Sequence, residues 1–203
     1  NVDVRYLDRG DIEKVSGKTY ADFVRERIFQ PLGMADTRYD VTDAVIPRRA
    51  AGYAQAKSGI VNAQYLSMTQ PYAAGSLVST VDDLAKWDAA LGSRRFLKPE
   101  SYAAMWSPVQ LQDGTTYPYG FAWSLDVQRH EPAIQHSGSW QGFKAAIVRY
   151  PGRKLSVIVL ANLASPGSTN VMLTSSGNHG VTRANNQTTI TAHATDRTMG
   201  PKN

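Results

Sequence analysis

The chain has 203 residues, 42% hydrophobic and 19% charged, enough apolar sequence to bury a core, which excludes a chain that is disordered throughout. It has no cysteine, which excludes a disulfide framework, a thiolate zinc site and a cysteine nucleophile. The formal net charge of +5 comes from scattered residues such as Arg25, Arg27, Arg48, Arg49, Arg94, Arg95, Arg153 and Lys154, a pattern that reads as a solvated surface and not as a nucleic-acid-binding face.

From Asp11 to Gly17 the sequence reads as the last turns of a helix, with acid early, Lys14 late and Gly17 placed for a left-handed cap. Thr19 is placed to cap a second helix whose apolar positions Tyr20, Phe23, Val24 and Ile28 share one face, while Asp22, Arg25 and Glu26 face water. Pro31 and Gly33 stop it. The stretch from Ala35 to Ala74 has weak periodicity and many turn formers, which predicts a long surface excursion.

Ser79-Thr80-Val81-Asp82-Asp83 has the form of a helix start, a hydroxyl followed by acids near the positive helix end. Val81, Leu84, Trp87 and Leu91 are the expected buried stripe, with Gly92 at the end. Pro99-Glu100 opens a short helix running through Met105 and Trp106. Beyond Gly114 the pattern becomes β-branched and aromatic. Tyr119 to Val127, Ala133 to His136, Phe143 to Tyr150 and Lys154 to Ala161 are predicted as consecutive antiparallel strands. The last strand is apolar on both faces, which implies helices over the sheet. The fold class is therefore α/β in the α+β sense, an antiparallel sheet flanked by helices. Residues 165–203 are rich in Ser, Thr and Asn and carry no aromatic residue. They read as a flexible polar tail, with at most a short ordered piece around Val171 to Leu173. The longest strongly apolar run, Val157 to Ala161, is too short to span a bilayer, and the first residues show no basic-then-apolar signal pattern.

Gln135-His136-Ser137-Gly138-Ser139-Trp140-Gln141-Gly142-Phe143 is the candidate site. A strand ending in His136, followed by small residues and a glycine turn, can leave backbone N–H groups free to meet a ligand. Taken alone, His136 can equally be a strand-end histidine satisfied by a local hydrogen bond.

Several segments in order resemble the serine β-lactamase-like family of class C β-lactamases, DD-peptidases and esterases: Ile12 to Lys18, Tyr20 to Thr37, Ala73 to Trp87, Tyr119-Gly-Phe-Ala-Trp123, His136-Ser-Gly138 with Gly142-Phe143, and Val157 to Asn162. The resemblance implies that residues 1–164 are the C-terminal portion of such a domain. It implies hydrolysis of a β-lactam, a D-Ala-D-Ala peptide or a small ester through an acyl-serine, with no metal or organic cofactor. By the same resemblance His136 binds or polarises the substrate and the Ser139 backbone N–H is one arm of an oxyanion hole. Ser137 and Gly138 line the strand against which substrate lies. The Ala73-Ala74-Gly75-Ser76 turn sits either at the rim of that cleft or in ordinary packing. No Ser-x-x-Lys and no Tyr-x-Asn occurs in the 203 residues, so the nucleophile, its lysine and one oxyanion donor are missing from the pattern. The expectation is a truncated member, inactive alone, or a non-catalytic chain that keeps the cleft for a ligand or partner. A third possibility is that another polypeptide supplies the missing half. Substrate, compartment and oligomeric state stay open.

Overall fold

The computed structural model describes residues 9–94, 96–128, 130–164 and 191–194. In chain order the helices are α1 (Arg9–Ser16), α2 (Tyr20–Val24), α3 (Val81–Ser93) and α4 (Pro99–Met105). The strands are β1 (Arg38–Tyr39), β2 (Tyr53–Ala56), β3 (Gly59–Asn62), β4 (Leu77–Val78), β5 (Val109–Gln110), β6 (Thr116–Tyr117), β7 (Ser124–Gln128), β8 (Glu131–Trp140), β9 (Phe143–Tyr150), β10 (Leu155–Ala161), β11 (Leu163–Ala164) and β12 (Thr191–Ala194). They fall into two compact units, one of Asn1–Arg49 with Tyr65–Ser93, the other of Ala50–Gln64 with Arg94–Asn203.

The first unit is mainly helical, and its helix ends follow from local chemistry. Gly17, at φ 67°, closes α1 by donating its N–H to the Glu13 carbonyl, a conformation that costs glycine little. The Thr19 hydroxyl accepts the Asp22 N–H at 3.1 Å and so satisfies an orphan donor of α2. Instead of continuing as α-helix, α2 opens into a π-helical turn at Arg25–Phe29. Gln30 N–H reaches back five residues to the Arg25 carbonyl, and Met34 N–H to that of Phe29. Tyr20, Val24, Phe29 and Met34 are the buried core, with Ile12, Phe23, Ile28, Tyr39, Tyr72 and Trp87 packed around it.

Helix α3 departs from its expected pattern. Its face buries Val81 and Leu91 as anticipated, but also Asp83 and Asp88, and it runs one residue past Gly92. Asp83 fastens the Asp36–Thr37 segment to α3: it accepts the Asp36 N–H at 2.8 Å, the Thr37 hydroxyl at 2.8 Å and, from its own helix, the Lys86 ammonium at 2.7 Å. Burial alone raises the pKa of this carboxyl, but the bonds from Lys86, Thr37 and Asp36 outweigh it and hold the group below its ordinary value. An acidic side chain on a helix looks like a solvent-facing group by pattern; here its partners supply the compensation that burial requires.

In the second unit five antiparallel strands lie in the order β12-β10-β9-β8-β7. Four residues of the expected tail are thus strand: Thr191–Ala194 pair with Leu160–Val157 of β10. The expected ordered piece at 171–173, and the rest of 165–190 and 195–203, lie outside the described residues. The region 35–74, expected to be an irregular excursion, contains the β2–β3 hairpin, and β11 joins β2 in parallel. Four-residue strands with mixed exposure leave little periodicity to detect.

The β8–β9 hairpin turns through Gln141 and Gly142 at φ 43° and 83°, both in the left-handed region that matches the twist of a two-residue hairpin. Its tip is clamped. A Cβ on Gly142 would lie 2.7 Å from the Tyr53 backbone nitrogen, and one on Gly52 would lie 2.5 Å from the Gln141 carbonyl oxygen. Gly59 has φ 115° but nothing within 4 Å of an added Cβ, so it isolates backbone strain from crowding. Gly142→Ala should therefore cost about 2–4 kcal/mol and Gly59→Ala only about 1–2 kcal/mol in urea unfolding; equal losses would contradict the close approach at the hairpin tip.

Candidate functional site

The turn at Gln141–Gly142 dictates what β8 exposes. A two-residue loop is closed by a hydrogen-bonded pair, here Trp140 and Phe143. Antiparallel pairing alternates in orientation, so His136 and Gly138 direct their backbone groups to β9, while Ser137 and Ser139 direct theirs to the opposite edge. Strand β7 covers that edge only as far as the pair Ser124↔Gln135. Among the described residues no strand pairs with β8 on this side from His136 to Trp140. The expected strand end at His136 is thus corrected: β8 runs on to Trp140, and the free N–H and C=O groups belong to a strand edge and not to a loop.

His136, Ser137, Gly138 and Ser139 are all exposed. Nothing lies within 4 Å of an added Cβ at Gly138, so no described neighbour requires its glycine. The structure brings one further residue to this group. Tyr119 Oη is 3.0 Å from His136 Nε2, and the rings meet edge to face with centroids 6.2 Å apart. The backbone of Tyr119 is itself held, its N–H donating to the Tyr117 carbonyl and its C=O accepting the Val109 N–H.

The next residues explain why the sequence reads Tyr-Gly-Phe-Ala-Trp. A Cβ on Gly120 would lie 2.0 Å from the Met105 carbonyl oxygen at the end of α4. Gly120 N–H donates to the Trp123 carbonyl, Ala122 adopts φ 61°, and Trp123 is buried. This tight turn seats Tyr119 beside β8. Nearby, Trp106 carries the guanidinium groups of Arg94 and Arg149 over its ring at 5.4 and 5.3 Å, a cation–π stack that joins the end of α4 to β9.

The Ala73–Ser76 turn has the contacts of a packing element. Ser76 is fully buried, donates its hydroxyl to the Met68 carbonyl at 2.5 Å and accepts the Asp40 N–H on its own carbonyl. A groove of about 460 Å³ in the first unit, lined by residues including Arg25, Phe29, Met34 and Arg38, contains none of the predicted site residues. Among the described residues, no group of three or more His, Asp or Glu could hold a metal ion, and no helix is long and apolar enough to cross a membrane.

A family model described as Beta-lactamase matches residues 10–176. The chain belongs to the beta-lactamase family. Penicillin-binding protein 4* of Bacillus subtilis is 33% identical over 167 residues, which cover 74% of this chain and 36% of that protein. Putative beta-lactamase-like 1 of Homo sapiens is 33% identical over 153 residues, 72% of this chain and 29% of that protein. Of the solved structures, the D-amino acid amidase from Ochrobactrum anthropi complexed with L-phenylalanine amide aligns with a TM-score of 0.66 at 27% identity, over 77% of this chain and 47% of its own. The octameric penicillin-binding protein homologue from Pyrococcus abyssi aligns with a TM-score of 0.63 at 29% identity, over 75% of this chain and 36% of its own. The chain thus spans about a third of the length of these curated relatives. The family is one of serine hydrolases, and the mixed helix and antiparallel-sheet architecture is its fold.

Gly120 and Gly138 should respond differently to an added methyl group. Gly120→Ala should lower unfolding stability by about 1–3 kcal/mol, because the Met105 carbonyl or the turn must move, whereas Gly138→Ala should stay within about 0.5 kcal/mol. Denaturant midpoints of the two variants check this, and a neutral Gly120→Ala would contradict the contact with α4.

Proposed function

We propose that this chain carries the histidine-strand half of an acyl-serine hydrolase acting on a small amide or ester, a β-lactam or a D-Ala-D-Ala peptide among them. The observation that carries the reading is the edge of β8 beside His136, with which no strand pairs among the described residues. An extended acyl group can lie along such an edge and bond to the backbone of Ser137 and Ser139, and Gly138 keeps the strand free of a side chain there. In this reading the Ser139 N–H is one donor to the oxyanion that forms when a serine oxygen attacks the carbonyl carbon. His136 binds the substrate or steadies the charge that develops beside it. Names among the relatives and neighbours agree with amide chemistry, since they include a D-aminopeptidase from Gluconobacter oxydans and the D-amino acid amidase.

The 203 residues contain no Ser-x-x-Lys, and acyl transfer needs nucleophile, base and oxyanion donors within hydrogen-bond reach of one another. The isolated chain is therefore proposed to be inactive. A second reading, favoured by that same lack, is a non-catalytic chain that binds a ligand or a partner polypeptide along β8.

Two measurements test these readings, the first their shared expectation and the second the difference between them. The purified chain should hydrolyse neither a chromogenic cephalosporin nor a p-nitrophenyl ester above a boiled control. When a family segment bearing Ser-x-x-Lys precedes this chain, penicillin acylation should appear, and His136→Ala should slow it by roughly 10²- to 10³-fold. Ser139→Ala should be mild, because its backbone N–H is retained. Acylation at the parent rate in His136→Ala, with circular dichroism unchanged, would overturn the site assignment.

A further inference from the structure

We propose that Tyr119 is the positioning residue that sets which nitrogen of His136 carries the proton, and so what His136 offers a ligand. The inference rests on the reading of the β8 edge as a substrate site, but its test does not depend on catalysis. Tyr119 Oη lies 3.0 Å from His136 Nε2, and the tyrosine backbone is held at its N–H by the Tyr117 carbonyl and at its C=O by the Val109 N–H. The turn behind it admits only glycine at 120 without displacing the α4 terminus. The phenol therefore reaches His136 from a fixed position and not from a mobile loop.

A phenol O–H is a stronger acid than the N–H of a neutral imidazole, and the bare ring nitrogen is a better acceptor than a phenol oxygen. The favoured arrangement for the neutral pair is O–H donating to Nε2. That leaves the proton of His136 on Nδ1, and the orientation of the ring is locked by the same bond, as a partner on one imidazole nitrogen commonly does. An isolated histidine prefers the opposite form, with the proton on Nε2. His136 then presents an N–H donor at Nδ1, which suits an acceptor: a carbonyl or carboxylate oxygen of an amide, ester or peptide lying along β8. A ligand group that is only a donor would meet a ring with no free lone pair. Tyr119 thereby makes His136 a reader of acceptor oxygens, without touching the reacting atoms.

The test uses the full 203-residue chain labelled with ¹⁵N-histidine. The chain has four histidines, and His136→Gln identifies the wanted signals. At a pH where the ring is neutral, ¹⁵N–¹H spectra of the parent should show Nδ1 protonated and Nε2 bare. In Tyr119→Phe, which keeps the ring contact and removes the hydroxyl, the signals should move to the Nε2-protonated form that free histidine prefers. A parent ring protonated on Nε2, a tautomer unchanged by Tyr119→Phe, or His136 signals at unfolded-chain values in the parent would each overturn the proposal. Its failure is distinct from failure of the site reading. A tautomer switch in Tyr119→Phe, together with full acylation by His136→Ala in the Ser-x-x-Lys-bearing protein, would uphold the positioning and reject the site. In that protein Tyr119→Phe should raise KM for an amide substrate by several fold more than it lowers kcat, as expected for a residue that orients a binding group.

Discussion

The register of the β8–β9 hairpin governs everything that makes this chain a candidate for acyl chemistry. Side chains alternate between sheet faces and backbone groups alternate between strand edges, so a shift of one residue would turn His136 away from Tyr119. The same shift would point the N–H of Ser139 into β9 instead of outward. Two features hold the register. The turn at Gln141–Gly142 is in the left-handed region at both positions, which suits a two-residue connection and disfavours a longer one. The tip is then pressed against Gly52 and Tyr53 at the start of β2, where a Cβ on Gly142 or on Gly52 would overlap backbone atoms. The site is thus specified by turn chemistry and by close backbone approach, and far less by the side chains that face solvent.

A second layer of control comes from residues outside the candidate site. The Tyr119–Trp123 turn depends on Gly120 beneath the end of α4, and Trp106 at that end is stacked under Arg94 and Arg149. These contacts connect a short helix, a loop and the central sheet around one tyrosine. In the first unit Asp83 has a comparable place. Its carboxylate gathers the Asp36–Thr37 segment and Lys86, and an unpaired charge at the same depth would cost several kcal/mol. Both are polar arrangements that become favourable only when every partner is present.

The sequence revealed most where one residue controls its own surroundings. The caps at Gly17 and Thr19 and the start of α3 after Thr80 were legible because each depends on neighbours within a few positions. The four central strands were legible by composition, although the first begins at Ser124 and not at Tyr119, because Gly120 and Ala122 bend the chain into a turn under α4. The family was legible because six short segments occur in order. What the sequence concealed depends on distant partners. Ser137-Gly138-Ser139 reads as a turn by composition, yet β9 holds it in register as strand. Asp83 reads as a surface acid until Thr37 and the Asp36 N–H are brought to it from the other side of the unit. The β2–β3 hairpin and Thr191–Ala194 owe their pairing to neighbouring strands and have weak patterns of their own. Tyr119 stands in the Tyr-Gly-Phe-Ala-Trp segment, but its partnership with His136 spans seventeen residues, a separation that no local period encodes.

The outward edge of β8 is proposed to receive the acyl group. The most direct measurement is a crystal structure of the penicilloyl adduct formed when this chain follows a family segment carrying Ser-x-x-Lys. The acyl carbonyl oxygen is expected at about 3 Å from the backbone nitrogen of Ser139, with the acyl chain running along Ser137 to Ser139. An adduct whose carbonyl oxygen is held by other donors, with the β8 edge left to solvent, would contradict it.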